Sequence, residues 1–484
     1  MKKIPVLLLI LLAVGLCMTG CGKKDKITHI SLYRPCFNIE GGSDSAQVQK
    51  VEAAINDYIK DKINVSVEIH EVQTDSYPDR TYLALINNEV NLLWTASWES
   101  SIGTNDLYSG QYVYDITDLL KGSVLYKSMD SGQWDVTEYG GRNYFIPVYK
   151  DNAEGYDLMF RQDLIEKHGW NIADIRSLAD IEGILADAKA DGLKYPLLLQ
   201  KTAMFYRFYI DRFDFFTADV RSNFVAIDRA SDAVVDTIQT PEYLEYCKLI
   251  AKWAEAGYIS GDEAAKATTD TTAKSKDWAV SWWTDVPVND EADARYEQDV
   301  SMKKITDRWA HSYSALGSCY CITSNSSEEQ AKACIDFLGL LYSDNYLADL
   351  YTFGIENEDF VYDAKHQVIL TSSKYNHSMW ESASATVVTP LENEPANKSD
   401  LYRVFNGSAT TSLAAGFRFD RTPVEKEYSA CCDIFDQYGF YLECGGIAPP
   451  DVESTIAAYR AALDEAGYQK ILAEFRNQYE TWKK

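Results

Sequence analysis

ITHISL at 27–32, QVQKVEAAINDYIK at 47–60 and VSVEIHEV at 65–72 decide the fold between them. In the first, apolar residues alternate with polar ones, the period of a strand. In the second, Val48, Val51, Ala54, Ile55 and Tyr58 recur at the spacing of one helix face. The third returns to alternation at Val65, Val67 and Ile69. A helical pattern at 77–88 and a short apolar run at 91–94 extend this to a β-α-β-α-β order. That order predicts an α/β protein with a mainly parallel sheet covered by helices on both faces. In such sheets ligands dock beyond the carboxyl ends of the strands, where loops converge.

After Pro147 the pattern changes. Residues 158–160 read as another strand and 161–167 as the start of a helix. Amphipathic helices are expected at 178–190 and 242–256, the second stopped by Gly257. The run 278–283 is a hydrophobic strand carrying Trp278, Trp282 and Trp283, and 318–323 is a further strand. A helix at 326–342 is capped by serine and opened by Glu328 and Glu329. The tail, 451–482, is helical on both sides of Gly467. No repeat, coiled coil or low-complexity linker separates the two halves, so their connections are expected to be crossovers that act as a hinge.

The N-terminus carries its own signal. Lys2 and Lys3 precede an apolar run from Val6 to Leu16, too short for the ~20 residues a membrane span requires. Met18-Thr19-Gly20-Cys21 resembles a bacterial lipobox, with Met18 where leucine is usual. The resemblance implies a signal peptide at 1–20, lipidation (palmitate among the acyl chains) of Cys21 and a tether at 21–26. Two or three acyl chains at ~0.8 kcal/mol per buried methylene hold a protein on a membrane stably. The alternative is a plain secretory signal, and either places the protein outside the cytoplasm.

Two of the 46 Lys and Arg and none of the 73 Asp and Glu lie in the first 20 residues, so the net charge passes from −27 to −29 when they are removed. That excess argues against nucleic acid and against lying on anionic lipid. Eight cysteines beyond Cys21 show no disulfide framework, and buried free thiols are expected. Cys319 with Cys321, and Cys431 with Cys432, lack zinc-ligand spacing, and His29, His70, His168, His311, His366 and His377 are scattered. No metal site or cofactor is expected. GxSxG, HExxH and P-loop motifs are absent from the sequence, and acids are too abundant for any pair to mark an enzyme.

Five stretches in order carry a family likeness: Val51–Ile59 after the first strand, Thr95-Ala96-Ser97-Trp98 after the third, Arg142–Pro147, Phe160–Gly169, and Asp336–Asp344 followed by Tyr351–Glu356. Arg142–Pro147 is similar to the pattern G-K-x-Y-A-V-P, and Phe160–Gly169 to V-R-K-D-L-L-E-K-Y-G. The chain thereby resembles the lipid-anchored solute-binding proteins of ABC importers, in the branch with a C-terminal DUF3502 domain. It departs at Asn357-Glu358-Asp359-Phe360, where that branch usually reads G-K-H-Y. The resemblance implies the two-lobed type-2 periplasmic-binding-protein fold, each lobe a mainly parallel sheet flanked by helices. Lobe 1 is expected at 27–148 and 316–375, and lobe 2 at 149–315 and 376–484 with a C-terminal helical region. It also implies capture of a solute between the lobes and delivery to permease subunits in the membrane.

With 33 tyrosines and 11 tryptophans, the chain is rich in the flat faces on which sugars stack, and an oligosaccharide is the favoured solute. Trp98, in the loop past a strand end, is a ligand contact or packs under the next helix. Trp282 and Trp283 alternate on their strand, so one is expected in the core and the other, near Asp285, in the cleft. Tyr149 follows the first crossover. Tyr33 and Arg34 end the first strand, where Arg34 is either a carboxylate clamp or a surface residue. Trp309 and Tyr313 precede the return crossover. A peptide or an acidic small molecule is the alternative solute, and a secreted carbohydrate-active enzyme or a surface adhesion module the alternative function.

Overall fold

Strands β1 (Thr28–Cys36), β2 (Val65–Gln73) and β3 (Leu92–Thr95) run parallel, joined by helices α1 (Ser45–Ile63) and α2 (Tyr77–Ile86). Asp44 caps α1 by accepting from the amides of Ala46 and Gln47, and Val48, Val51, Ile55 and Ile59 form its buried stripe. These elements belong to a computed structural model that describes residues 27–217, 219–288, 292 and 296–484. The signal segment and Cys21 lie outside the described residues.

Strand β4 (Phe145–Pro147) completes the edge of this sheet. The chain then builds a second sheet from β5 (Tyr156–Arg161), β6 (Tyr195–Leu197), β7 (Trp278–Thr284) and β8 (Val300–Lys304). It returns as β9 (Cys319–Ile322), inserted between β3 and β4. The strand orders are β2-β1-β3-β9-β4 and β8-β5-β7-β6.

The sheets are mixed, which corrects the expectation of mainly parallel ones. Strand β9 is antiparallel to both neighbours, and in the second sheet only β7 and β6 run parallel. Direction is set by where the chain comes from: β9 enters the first sheet from the other lobe. Alternation within a strand carries no trace of that.

Each sheet has its own core. Leu32, Val51, Leu92, Phe145, Cys321 and Phe337 are among the buried residues of the first. Phe160, Trp253, Val280, Tyr459 and Phe475 are among those of the second. The expected boundary at 375/376 is displaced. Met379, Ala383, Val388 and Tyr402 pack in the first core, so 376–402 joins lobe 1 and the chain crosses only afterwards. An apolar stripe shows that a segment is buried and leaves open against which lobe.

Three segments form the hinge, around 148–155, 305–318 and 403–413. Trp309–Ala310 pairs in parallel with Thr410–Thr411, and Glu154 and Trp309 exchange main-chain hydrogen bonds of 2.8 Å. Asn406 ties the third segment to the first: its Oδ1 accepts from the Asn152 amide at 2.9 Å and its Nδ2 donates to the Lys150 carbonyl at 2.6 Å.

Beyond the hinge, helices α4 (Val452–Glu465) and α5 (Tyr468–Trp482) flank Gly467 and pack, with α3 (Pro241–Glu255) and Glu425–Ile434, on the second core. Gly467 sits at φ +99°, where a Cβ would also meet the Glu427 side chain at 2.6 Å, so glycine is required there. The eight described cysteines are buried as free thiols. No helix of the described residues is long and apolar enough to cross a membrane.

Candidate functional site

A cavity of about 1330 Å³ opens between the lobes, floored by the hinge. Trp98 stands on the lobe 1 wall, in the turn that follows β3, with 49% of its surface exposed. Its indole N–H donates to the Gly317 carbonyl at 2.7 Å, and Ser97 Oγ donates to the Tyr313 carbonyl at 2.6 Å. Both anchors come from the return crossover, so the edge of the ring is pinned while a face stays open. Phe37 backs this wall, 6.1 Å from Trp98 and 4.9 Å from Trp380 between ring centroids. Trp380 also lines the cavity.

On the lobe 2 wall Trp282 and Trp283 both line the cavity, where one was expected in the core. Pairing of β7 with β6 ends at Val280 opposite Leu197 while pairing with β5 continues to Thr284, so one side of the strand end is open; both rings are half-buried, Trp282 against the second core and Trp283 against a smaller cluster. Trp282 Nε1 donates to the Leu199 carbonyl at 3.1 Å, and the Arg207 guanidinium lies 4.1 Å above its ring. Beside them Gln200 and Lys201 adopt φ of +57° and +54°, successive left-handed residues that only surrounding contacts can hold. The buried carboxylate of Glu263 supplies those contacts by accepting from the amides of Leu199 and Lys201 and from the Thr268 hydroxyl. Burial still raises the Glu263 carboxyl above the ordinary range, against these hydrogen bonds.

The floor is polar. Glu154 is enclosed by hydroxyls: Tyr156 donates to it, Tyr206 at 2.6 Å and Tyr313 at 2.6 Å. His311 Nδ1 lies 3.2 Å away, and its Nε2 is 3.4 Å from Asp214. Burial alone would raise the Glu154 carboxyl, yet the hydrogen bond and charge of His311 with the tyrosine hydroxyls bring it down to about 2. His311, opposed by burial, is raised by the two carboxylates.

The remaining candidates lie elsewhere. Arg34 is 1% exposed; it donates to the Tyr375 hydroxyl at 2.6 Å and the Tyr351 carbonyl at 3.2 Å and pairs with Glu71, so it cannot clamp a solute. Tyr33 stacks on His70 at 4.4 Å, away from the cleft, and Tyr149 is buried in the first core. Asp285 is buried and taken by Arg308 through two hydrogen bonds of 2.6 and 3.0 Å. Trp309 belongs to the hinge, with Arg229 3.5 Å over its ring and its N–H on Asp211. Lobe 1 contributes Asn38, Trp380 and Asn393 instead, and lobe 2 Tyr156, Gln200 and Thr202. No local pattern marks these, and two of them, Trp380 and Asn393, arrive through the displaced 376–402 segment.

Flat aromatic faces on two walls with amides and hydroxyls between them suit a ligand with C–H faces and many hydroxyls. The family model described as a domain of unknown function, DUF3502, matches residues 413–484, the stretch that begins where the third crossover ends. Over 493 aligned positions the chain is 23% identical to a carbohydrate ABC transporter substrate-binding protein of Streptococcus pneumoniae serotype 4, covering 98% of this chain and 96% of that one. Among solved structures, the N-glycan transport solute binding protein NgtS of Streptococcus pneumoniae superposes with a TM-score of 0.79 at 21% identity, over 94% of this chain and 99% of that one. Its complex with Man5GlcNAc superposes with a TM-score of 0.67 at 22% identity and the same coverage. The chain therefore carries a DUF3502 domain on the two-lobed fold of the solute-binding proteins.

Proposed function

We propose that this protein is the substrate-binding component of an ABC importer, and that it captures an oligosaccharide between its lobes and hands it unaltered to a membrane permease. The observation that carries the reading is the cleft itself. Its volume of about 1330 Å³ exceeds the ~300–1,000 Å³ usual for a small-molecule pocket, so it has room for several sugar rings. Trp98 and Trp380 from one lobe face Trp282 and Trp283 from the other across that space. A ligand touching both walls stabilises the closed arrangement, and a permease that reads the closed shape accepts only loaded protein.

The ligands in the NgtS complexes, Man1GlcNAc and Man5GlcNAc, support a mannose-containing glycan as the first candidate. Catalysis is not part of the proposal. Glu154, the carboxylate on the floor, is held ionised by His311 and three tyrosines and so has no proton to give a glycosidic oxygen. Export and lipidation at Cys21, with residence on the outer face of the membrane, complete the reading. They rest on the lipobox-like Met18–Cys21.

Isothermal titration of the purified protein with a panel of mannose-, glucose- and fructose-based oligosaccharides tests the core of it. One glycan class binding at unit stoichiometry and recovered intact by chromatography is the expected result. Released reducing ends, or silence toward every sugar alongside binding of a peptide, would overturn the reading. Labelled palmitate incorporated by the wild type and not by Cys21→Ala tests the anchor.

A further inference from the structure

Away from the cleft opening, Cys36 at the end of β1, Glu71 on β2 and His377 converge beneath the lobe 1 wall. One ligand atom from each lies within 4.8 Å of the others. His377 Nε2 is 3.0 Å from Glu71 Oε2, and Glu71 Oε1 accepts from the Ser43 amide at 2.8 Å. Cys36 and His377 are each 1% exposed, and the Glu71 side chain 6%. From these positions we propose that Cys36, Glu71 and His377 form a structural binding site for a transition-metal cation, zinc by its chemistry.

Thiolate, imidazole and carboxylate together suit zinc and not calcium or magnesium, which take oxygen. Bonds of ~2.0–2.3 Å place the ligand atoms of a tetrahedral zinc roughly 3.3–3.8 Å apart, so a set already within 4.8 Å closes by side-chain adjustment alone. The other imidazole nitrogen, Nδ1, faces Glu381 Oε1 at 3.6 Å. A carboxylate behind a metal-bound histidine is the usual outer partner, fixing which nitrogen keeps its proton. On binding, the Cys36 thiol gives its proton to solvent, and His377 ligates through Nε2 as the neutral ring with its proton on Nδ1.

Arg34, 3.4 Å from Glu71, is the local feature that opposes a cation. The Cys36 thiolate, Glu71 and Glu381 outweigh it by two charges, which a divalent ion cancels. The site also has a structural role to play. His377 and Glu381 bracket Ser378 and Trp380, which line the cleft, and Ser378 Oγ donates to Asn38 Oδ1 at 2.9 Å. An ion here would lock the Trp380 segment to the ends of β1 and β2.

Cobalt(II) titration of chelator-treated protein, followed by absorption, is the test. Expected are a thiolate-to-cobalt charge-transfer band, the intense visible bands of a four-coordinate ion, unit stoichiometry and displacement by zinc. Cys36→Ser should remove the charge-transfer band, and Glu381→Gln should keep it while weakening zinc about 10- to 100-fold. Circular dichroism and melting curves of each variant show whether it is folded. Wild-type protein that develops no cobalt spectrum overturns the proposal. So does a folded Cys36→Ser with an unchanged spectrum, since the ion would then sit on another thiol.

Discussion

Two buried glutamates, one in the hinge and one in the C-terminal helical core, meet opposite fates. Glu154 has His311 and three tyrosine hydroxyls around it and is driven down to about 2. Glu443, equally enclosed, is pushed up to about 8 by burial, with the Phe205 amide too little to compensate. Burial is common to both, so the supply of donors decides whether a charge survives indoors. The hinge keeps a charged knot, rich in hydroxyl donors, under the cleft floor. The helical core around Glu443 is aromatic and thiol-rich and holds a neutral acid.

The strongest way to break this contrast is Glu154→Leu. It takes from buried His311 one of its two carboxylates and from three tyrosine hydroxyls their acceptor, and an unfolding free energy lower by about 3–5 kcal/mol is expected from denaturant titration. A loss below about 1 kcal/mol would remove the hinge knot from the account. The wild type sharpens the same point in acid. The folded Glu154 carboxyl titrates below its ordinary 4.5, so its contribution is complete above that pH and drains away as pH falls toward 2.

Glu443 has the reverse sign. Its folded value lies above 4.5, so the neutral form favours folding in acid and that contribution is lost as pH rises through about 8. Glu443→Gln should therefore raise stability at pH 8 by about 2–3 kcal/mol and change little at pH 4, read from melting curves at the two values. No gain at pH 8 would show that the acid is solvated in place.

Trp98→Ala separates floor from wall. Its half-exposed ring carries little of the fold, so affinity for the best glycan should fall ~30-fold, about 2 kcal/mol, with the melting temperature of the free protein unchanged. A drop in melting temperature instead would assign Trp98 to packing. The smallest effect belongs to Tyr313→Phe, which removes one of three hydroxyls from Glu154 and should cost about 1 kcal/mol in denaturant titration. An unchanged value would mean that the remaining donors suffice.

Much of the fold was legible because local periodicity carries it. The 65–72 alternation became β2, 242–256 became α3 (Pro241–Glu255), and the helices flanking Gly467 fell where expected. Trp98, Trp282 and Trp283 line the cleft because strand ends in this fold face it. Arg34 was misread because its partners, Tyr351 and Tyr375, lie more than 300 residues away and cover it completely. Trp380 was missed for the same reason: only the late crossing after Tyr402 places its segment in lobe 1. Long-range closure, which no short window contains, decided both.

Trp98 is fastened through its indole N–H to Gly317, and Gly317 belongs to a segment that bends when the lobes turn. Ser97, its neighbour, holds the same segment through Leu316 and Tyr313, so this ring sits where the return crossover meets the first sheet. The difference in emission between the wild type and Trp98→Phe sets this indole apart from the other ten tryptophans and gives a protractor for the jaw angle that needs no dye.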